Sequence, residues 1–219
     1  DDKVNFEELG KMIDFQIAGG TDAIIICGTT GESSTLTHEE HDECIKFAVE
    51  HTAGRVPVIA GTGSNSTAEA IRLSTHAQNN GADALLLVTP YYNKATQKGL
   101  EEYYATVGNS VDVPIIMYNV PGRTGLNISV DTVVELAKHK NIQAMKDATD
   151  NIAYAMEVLA KTADLDFDLY SGCDDNILPF MAAGGKGVIS VTSNLYPEAV
   201  EKLTQLILKG NIKEAQPLA

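Results

Sequence analysis

Short, unbroken hydrophobic runs alternate along the chain with longer stretches in which hydrophobic residues recur every three or four positions. The runs are rich in Ile, Val and Leu and do not alternate with polar residues, which is typical of parallel strands covered on both faces. The pattern predicts seven strands: Ala23–Cys27, Val56–Ala60, Ala84–Val88, Pro114–Tyr118, Ile142–Lys146, Phe167–Ser171 and Gly187–Thr192.

The stretches between the runs predict helices, and several of them begin with a recognisable start signal. The segment Phe6–Ala18 places its large hydrophobic residues on one helical face. Thr37 and Glu40 have the spacing of a capping box at the start of the next helix. Ser129 and Pro197 each stand where a later helix is expected to begin.

Strand and helix repeat at intervals of roughly 20 to 35 residues, which is the size of one βα unit. Because no G-x-G-x-x-G turn follows a strand, the repetition favours a (β/α)8 TIM barrel over a dinucleotide-binding sheet. No linker divides the chain, so residues 1–219 are predicted to form a single domain. Closure of the barrel requires eight strands, so we expect this chain to lack the first strand and the C-terminal helices.

The composition excludes several classes of function. The formal net charge of −14 argues against nucleic acid, whose phosphates require a basic surface, and offers no attraction to an anionic membrane. No apolar run approaches the roughly 20 residues of a membrane-spanning helix. The three cysteines form no C-x-x-C pair, which favours reduced thiols and a cytoplasmic location. No motif for a metal or a cofactor is present, and neither is predicted.

Candidate catalytic residues stand at the C-terminal ends of the predicted strands, where parallel barrels carry their active sites. Lys146 ends an apolar strand, where burial would lower the pKa of the ammonium group and free the amine to attack a carbonyl. The alternative is a structural ion pair between Lys146 and Asp147 or another acid. Tyr118 ends a second strand at the same edge, where its phenol could donate or accept a proton.

Three further groups follow predicted strands at this edge. The turn Gly28–Glu32 could hold an anion on its backbone N–H groups and hydroxyls, or it could be a plain glycine-rich turn. Arg123 offers a planar fork for a substrate carboxylate. Tyr92 could exchange protons, or it could be a rim residue with a solvated hydroxyl. A lysine near phenols and an anion site is the equipment of imine chemistry.

Five motifs follow one another along the chain: GTTGES (Gly28–Ser33), VTPYYN (Val88–Asn93), YNVPGRTG (Tyr118–Gly125), MKDAT around Lys146, and GVISVTSN (Gly187–Asn194). In their order and spacing they resemble the dihydrodipicolinate synthase family. The resemblance implies a class I aldolase-type lyase that condenses pyruvate with L-aspartate 4-semialdehyde to 4-hydroxytetrahydrodipicolinate, in the diaminopimelate route to lysine. It also implies a homotetramer.

The resemblance implies a role for each matching residue. Lys146 would form the imine and then the enamine of pyruvate, and Tyr118 would be the general acid and base beside it. Thr29 would link Tyr118 to Tyr92 in a proton relay, with Tyr92 contributed across a subunit interface. Arg123 would hold the carboxylate of the semialdehyde and order the relay. The pyruvate pocket would be lined by Thr29, Thr30, Gly172 and Ile189.

A second set of polar residues matches the lysine-inhibition site of feedback-regulated family members. Glu69 could meet the ammonium group of a lysine ligand, while Asn65 and Tyr91 could hold its polar end. The alternative is a polar dimer interface with exposed histidines. The set comprises Ser33, Ser34, His38, His41, Asn65, Glu69 and Tyr91.

Two other functions compete with the synthase. The first is a sister enzyme on the same scaffold, such as N-acetylneuraminate lyase or a keto-deoxy sugar acid aldolase. Arg123 and the Thr29-Thr30 pair favour the synthase, because the sugar-acid lyases tend to lack that arginine. The second is a catalytically silent barrel with a regulatory or binding role, against which the intact set of candidate catalytic residues argues.

Overall fold

The structure is a computed structural model that describes residues 3–219. Its sheet has seven strands, each paired in parallel with its neighbour in chain order, which confirms the predicted α/β class. Parallel neighbours require crossover connections, and helices supply them. The strands are β1 (Ile24–Ile26), β2 (Val58–Gly61), β3 (Ala84–Val88), β4 (Ile115–Asn119), β5 (Ile142–Asp147), β6 (Asp168–Ser171) and β7 (Gly187–Val188).

The helices follow the predicted alternation with the strands. In chain order they are α1 (Phe6–Ala18), α2 (His38–Thr52), α3 (Thr67–Asn79), α4 (Gln97–Gly108), α5 (Pro121–Thr124), α6 (Val130–Leu136), α7 (Ile152–Lys161), α8 (Ile177–Ala182), α9 (Pro197–Leu208) and α10 (Ile212–Ala215). Short 3-10 turns occur at Ser33–Thr35, Asp174–Asn176, Thr192–Asn194 and Gln216–Leu218. Within residues 3–219, no helix combines the length and the hydropathy that a membrane crossing demands.

The start of α2 has the predicted capping box. The Thr37 hydroxyl accepts from the Glu40 N–H at 3.2 Å, and the Glu40 carboxylate accepts from the Thr37 N–H at 2.9 Å. These bonds satisfy amides that have no partner within the helix. Ser129 caps α6 by accepting from the Thr132 N–H, as its position in the sequence predicted.

The last strand is shorter than predicted. The sequence pattern extended it to Thr192, which is wrong, because β7 ends at Val188 and a 3-10 turn begins at Thr192. The Asp174 carboxylate accepts from the N–H groups of Val191 and Thr192 at 3.0 Å each. A side chain from another loop thus takes the amides that a longer strand would have used in the sheet.

The two faces of the sheet carry different residues because successive side chains of a strand point to opposite faces. The face covered by helices carries the main core, which includes the fully buried Leu85, Leu87, Ile115, Met117 and Met145. On the other face, a smaller cluster includes Leu86, Ile116, Tyr118 and Ala144, with Ile25 of β1 and Ile189 beyond β7 packed against it. Because residues from both ends of the sheet meet in one cluster, the sheet curls around this inner face.

Candidate active site

Lys146 and Tyr118 lie side by side on the inner face, near the C-terminal ends of β5 and β4. They are direct partners in the parallel register of these strands, so their side chains share a face. The Nζ atom of Lys146 lies 4.4 Å from the centroid of the Tyr118 ring. Both residues are buried, with exposed fractions of 8% for Lys146 and 7% for Tyr118.

Burial changes the acid–base properties of the Lys146 amine. Loss of hydration disfavours the ammonium form and lowers the pKa of Lys146 to about 8. Asp174 opposes the shift through its negative charge, whereas the positive charge of Arg123 adds to it. The neutral, nucleophilic form of the amine is therefore populated much closer to neutral pH than in an exposed lysine.

Asp147 follows Lys146 on β5, and its side chain points to the opposite, helix-covered face. The Asp147 carboxylate accepts from the Thr149 N–H at 3.2 Å and from the Thr149 hydroxyl at 3.0 Å. Burial raises the pKa of Asp147 to about 6, although these hydrogen bonds act against the rise. Among the ion pairs of residues 3–219 none involves Lys146, so the structural ion-pair alternative has no support.

The environment of the Tyr118 phenol favours its protonated form, and two exposed residues, Thr29 and Arg123, also act on it. Burial raises the pKa of Tyr118, while a hydrogen bond with the Thr29 side chain and the charge of Arg123 lower it. Thr29 and Arg123 are themselves exposed. The structure therefore brings four predicted site residues together, with Lys146 and Tyr118 inside and Thr29 and Arg123 towards solvent.

A sharp turn after β1 places Thr29 and Thr30 at this edge. The Gly31 N–H donates to the Gly28 carbonyl and the Glu32 N–H donates to the Thr29 carbonyl, both at 3.1 Å. These two amides are therefore already used inside the turn. Thr29 and Thr30 are exposed, and their hydroxyls, of which that of Thr29 also bonds Tyr118, are the side-chain groups that this turn offers to a substrate carboxylate.

Arg123 lies on the short helical turn α5. Pro121 occupies the first turn of α5, where its fixed φ suits a helix and its missing N–H is not needed. Gly125 ends the turn with φ +67, in the left-handed region that glycine adopts without strain. The side chain of Arg123 thus extends from a hydrogen-bonded helical turn with defined ends.

Gly172 supplies the space that the Lys146 side chain occupies. A Cβ atom at position 172 would lie 2.8 Å from the Ala148 Cβ and 3.0 Å from the Lys146 Cε. Only a residue without a side chain leaves both neighbours undisturbed. Ile189 is half-buried and packs against the inner-face cluster, so two of the four residues predicted to line the pyruvate pocket lie next to the lysine or its surroundings.

Asp174 is a site residue that sequence reasoning missed. Its carboxylate accepts from the Ser190 hydroxyl and from the N–H groups of Val191 and Thr192. Partial burial raises the pKa of Asp174, but these hydrogen bonds outweigh burial and lower it overall. A carboxylate close to Lys146 is thus held ionised between the loops after β6 and β7. Its position two residues after Gly172, in the loop after a predicted strand, was the available signal.

Tyr92 is placed differently from the other predicted site residues. It is 90% exposed, and its φ of +74 lies in the left-handed region, which is uncommon for a tyrosine. In the described part of the chain, no hydrogen bond joins Tyr92 to Thr29 or Tyr118. The backbone therefore holds this side chain out into solvent, away from the Lys146 pocket.

The second predicted set of residues centres on the start of α2 and α3. The Glu69 carboxylate contacts His38 Nε2 at 2.8 Å and accepts from the Ser64 hydroxyl. These hydrogen bonds lower the pKa of Glu69, with the Ser64 bond contributing most. His41 is not an exposed histidine as one alternative required, since it is buried and its Nε2 lies 2.9 Å from the Gly61 carbonyl.

The remaining members of this set surround the His38–Glu69 pair at the protein surface. Asn65 is half-buried, and its carbonyl accepts from the Asn93 amide at 3.1 Å. Ser33 and Ser34 lie on the 3-10 turn before α2, and Tyr91 is half-buried directly before the exposed Tyr92. The set thus forms a polar surface beside the turns that follow β1, β2 and β3.

A buried lysine beside a phenol, at the C-terminal edge of a curled parallel sheet, defines an α/β protein equipped for imine chemistry. The sequence profile of the Dihydrodipicolinate synthetase family matches residues 1–219. A 4-hydroxy-tetrahydrodipicolinate synthase of Lachnoclostridium phytofermentans is 59% identical over 212 residues, which cover 96% of this chain and 72% of the relative. The chain belongs to the dihydrodipicolinate synthetase family.

Two solved structures extend the comparison. Dihydrodipicolinate synthase from Acinetobacter baumannii, complexed with pyruvate, is 43% identical and superposes with a TM-score of 0.95 over 98% of this chain and 74% of its own. The enzyme from Cyanidioschyzon merolae, with lysine bound, is 38% identical with a TM-score of 0.95 over 99% of this chain and 74% of its own.

Proposed function

We propose that the protein is a 4-hydroxy-tetrahydrodipicolinate synthase, which condenses pyruvate with L-aspartate 4-semialdehyde in lysine and diaminopimelate biosynthesis. The observation that carries this proposal is the Lys146 amine, whose pKa burial lowers to about 8, lying 4.4 Å from the Tyr118 ring. Membership of the family and the names of the relatives support the choice of substrates.

The chemistry begins at the keto carbon of pyruvate. The neutral Lys146 amine attacks this carbon, and loss of water from the adduct leaves an imine that is a better electron sink than the ketone. A proton then leaves the methyl group to give an enamine, whose carbon attacks the aldehyde and forms the new carbon–carbon bond. Tyr118, whose ring centroid lies 4.4 Å from the Lys146 Nζ, is proposed to move these protons as general acid and base.

The substrate carboxylates are assigned to the exposed groups at the mouth. Thr29 and Thr30 are proposed to donate their hydroxyls to the carboxylate of pyruvate, in a pocket that Gly172 and Ile189 complete. Arg123 is proposed to hold the carboxylate of the semialdehyde through its planar fork. The proposed reaction needs no separate cofactor, because the protonated imine accepts the electron pair that is left when the methyl proton departs.

The proposal also covers the complete fold, the assembly and the location of the protein. We propose a single domain that is a (β/α)8 barrel, in which the seven strands take positions two to eight and the first strand's position lies between β7 and β1. The outward Tyr92, 90% exposed, is proposed to enter the site of a neighbouring subunit in a homotetramer and to complete the relay there. A cytoplasmic location, in keeping with three cysteines free of disulfides, belongs to the same proposal.

Lysine inhibition is proposed at the polar surface around Glu69. Its carboxylate, held by Ser64 and His38, is proposed to receive the ligand's ammonium group. The related enzyme whose structure has lysine bound supports lysine as the ligand. The test is the reaction rate with millimolar lysine. We expect inhibition that Glu69→Gln abolishes without changing the uninhibited rate. Unchanged wild-type rates at millimolar lysine would refute the site.

The test of the main function is covalent capture of pyruvate. Borohydride reduces an imine to a stable amine, so pyruvate with borohydride should add one adduct mass to the peptide that contains Lys146. Lys146→Ala should abolish the adduct, and the absence of any adduct in the wild-type protein would refute the aldolase function. Turnover of the semialdehyde, compared with turnover of N-acetylneuraminate and keto-deoxy sugar acids, then distinguishes the synthase from its sister enzymes.

A further inference from the structure

The segment from Val120 to Ile128, here called the Arg123 segment, is fixed by a buried amide at the end of β4. Asn119 follows Tyr118 and points to the helix-covered face, where it is 0% exposed. Its Oδ1 accepts from the Ile128 N–H at 3.2 Å. Its Nδ2 donates to the Asn127 Oδ1 at 2.8 Å. One side chain at the start of the Arg123 segment therefore holds the two residues at its end.

Tyr154 of α7 closes the same network from the helix layer. Its hydroxyl donates to the Ile128 carbonyl at 2.7 Å and lies 3.3 Å from the Asn119 Nδ2, which donates to it. Burial raises the pKa of Tyr154 well above the ordinary value of a phenol, so the hydroxyl stays a donor. Ile128 thus has both its backbone N–H and its carbonyl bound to side chains, those of the buried Asn119 and the half-buried Tyr154.

Asn119 also connects this network to the strand of the lysine. Its backbone carbonyl accepts from the Ala148 N–H at 2.8 Å, two residues beyond Lys146. Inside the Arg123 segment, the Thr124 hydroxyl donates to the Leu126 carbonyl at 3.0 Å and so stiffens the stretch between Arg123 and Asn127. A shift of Asn127 or Ile128 would therefore be transmitted to the helical turn that presents Arg123.

We propose that Asn119, Asn127 and Tyr154 form a positioning unit for Arg123, which sets the affinity of the site for the second, carboxylate-bearing substrate. This inference rests on the proposed function, in which Arg123 binds the carboxylate of the semialdehyde. None of the three residues lies on the inner face with Lys146, so pyruvate capture does not depend on them. Polar side chains that hydrogen-bond one another hold a loop in one geometry, and that geometry determines a bidentate contact.

The test uses Tyr154→Phe, which removes one hydroxyl and leaves the ring in place. We expect the KM for the semialdehyde to rise roughly five- to tenfold, as the loss of one partly buried hydrogen bond predicts, with the KM for pyruvate unchanged. The matched control is Tyr103→Phe, since the Tyr103 hydroxyl also donates to a backbone carbonyl, that of Ser64 at 2.9 Å. Asn127→Ala, at an exposed position, is the second variant if Tyr154→Phe folds poorly.

A double-mutant cycle separates positioning from general loss of stability. In an Arg123→Ala background, Tyr154→Phe should add no further rise in the KM for the semialdehyde, because the group it positions is gone. An undiminished rise in that background, a parallel rise in both KM values, or kinetics equal to those of Tyr103→Phe would each overturn the inference. Borohydride capture of pyruvate on Lys146 is measured in every variant. Its failure in the wild type would instead refute the proposed function.

Discussion

The pH dependence of pyruvate capture tests the central physical claim about Lys146. Burial lowers the pKa of its ammonium group from 10.5 to about 8. At pH 7 about one amine in ten is then neutral, compared with about one in 3,000 for an exposed lysine, a gain of roughly 300-fold. The neutral fraction of Lys146 is raised in this way because its side chain is buried, with 8% of the residue exposed, and forms no ion pair within residues 3–219.

The assay is the initial rate of borohydride-trapped adduct formation with saturating pyruvate between pH 6 and pH 10, quantified by mass spectrometry. We expect the rate to rise with a midpoint near pH 8. Tyr118→Phe keeps the aromatic ring beside the amine, so its midpoint should stay near that of the wild type while the maximal rate falls. Asp174→Asn removes a negative charge that raises the pKa of Lys146, so its midpoint should move to lower pH.

Two results would refute the reasoning. A wild-type midpoint near 10 would mean that the amine is hydrated in solution and that burial does not control its charge. A midpoint that moves upward in Asp174→Asn would mean that the carboxylate acts by some route other than its charge. Arg123→Ala is the opposite control, because loss of this positive charge should raise the midpoint.

Three stability predictions follow from the same structure. Lys146→Met should raise the free energy of unfolding at pH 7, measured in urea, by up to about 3 kcal/mol. Because the pKa of Lys146 is lower in the folded protein, the lysine destabilises the fold fully below pH 8 and progressively less as the pH rises towards 10.5. Asp147→Asn should stabilise by roughly 1–3 kcal/mol at pH 7 but little at pH 4, since the raised folded pKa makes wild-type stability fall as pH rises through 6. Equal gains at both pH values would contradict it. Thr37→Ala should cost about 0.5–2 kcal/mol of unfolding free energy through the lost capping box, and an unchanged urea midpoint would contradict this.

Much of the fold follows from local patterns. The runs around Leu86, Met117 and Met145 form strands as predicted, because residues buried on both faces must be hydrophobic along their whole length. The strand ends were less accurate, as at Thr192, where a carboxylate from another loop takes the backbone amides. Such an interaction joins residues 18 positions apart, and no local pattern contains it.

The residues of the candidate site were likewise predictable only where their position along a strand was enough. Lys146 and Tyr118 could be predicted because parallel strands end at one edge, and position along each strand was enough. Asp174 and Asn119 were missed because their importance lies in partners that are distant in sequence. Asn119 of β4 meets Tyr154 of α7 across 35 residues, and no local sequence pattern contains that contact.

The backbone geometry of β5 keeps the neighbouring side chains of Lys146 and Asp147 apart, and this separation controls the charge of the lysine. Both are buried, and burial moves each pKa towards the neutral form, to about 8 for the lysine and about 6 for the aspartate. In one pocket the two would form an ion pair, and an attractive carboxylate would restore the ammonium form and suppress the nucleophile. The two-residue period of the strand prevents this by placing the charges on opposite faces. Thr149 then holds the Asp147 carboxylate away from the amine, so the lowered pKa of Lys146 is maintained by the backbone geometry of β5.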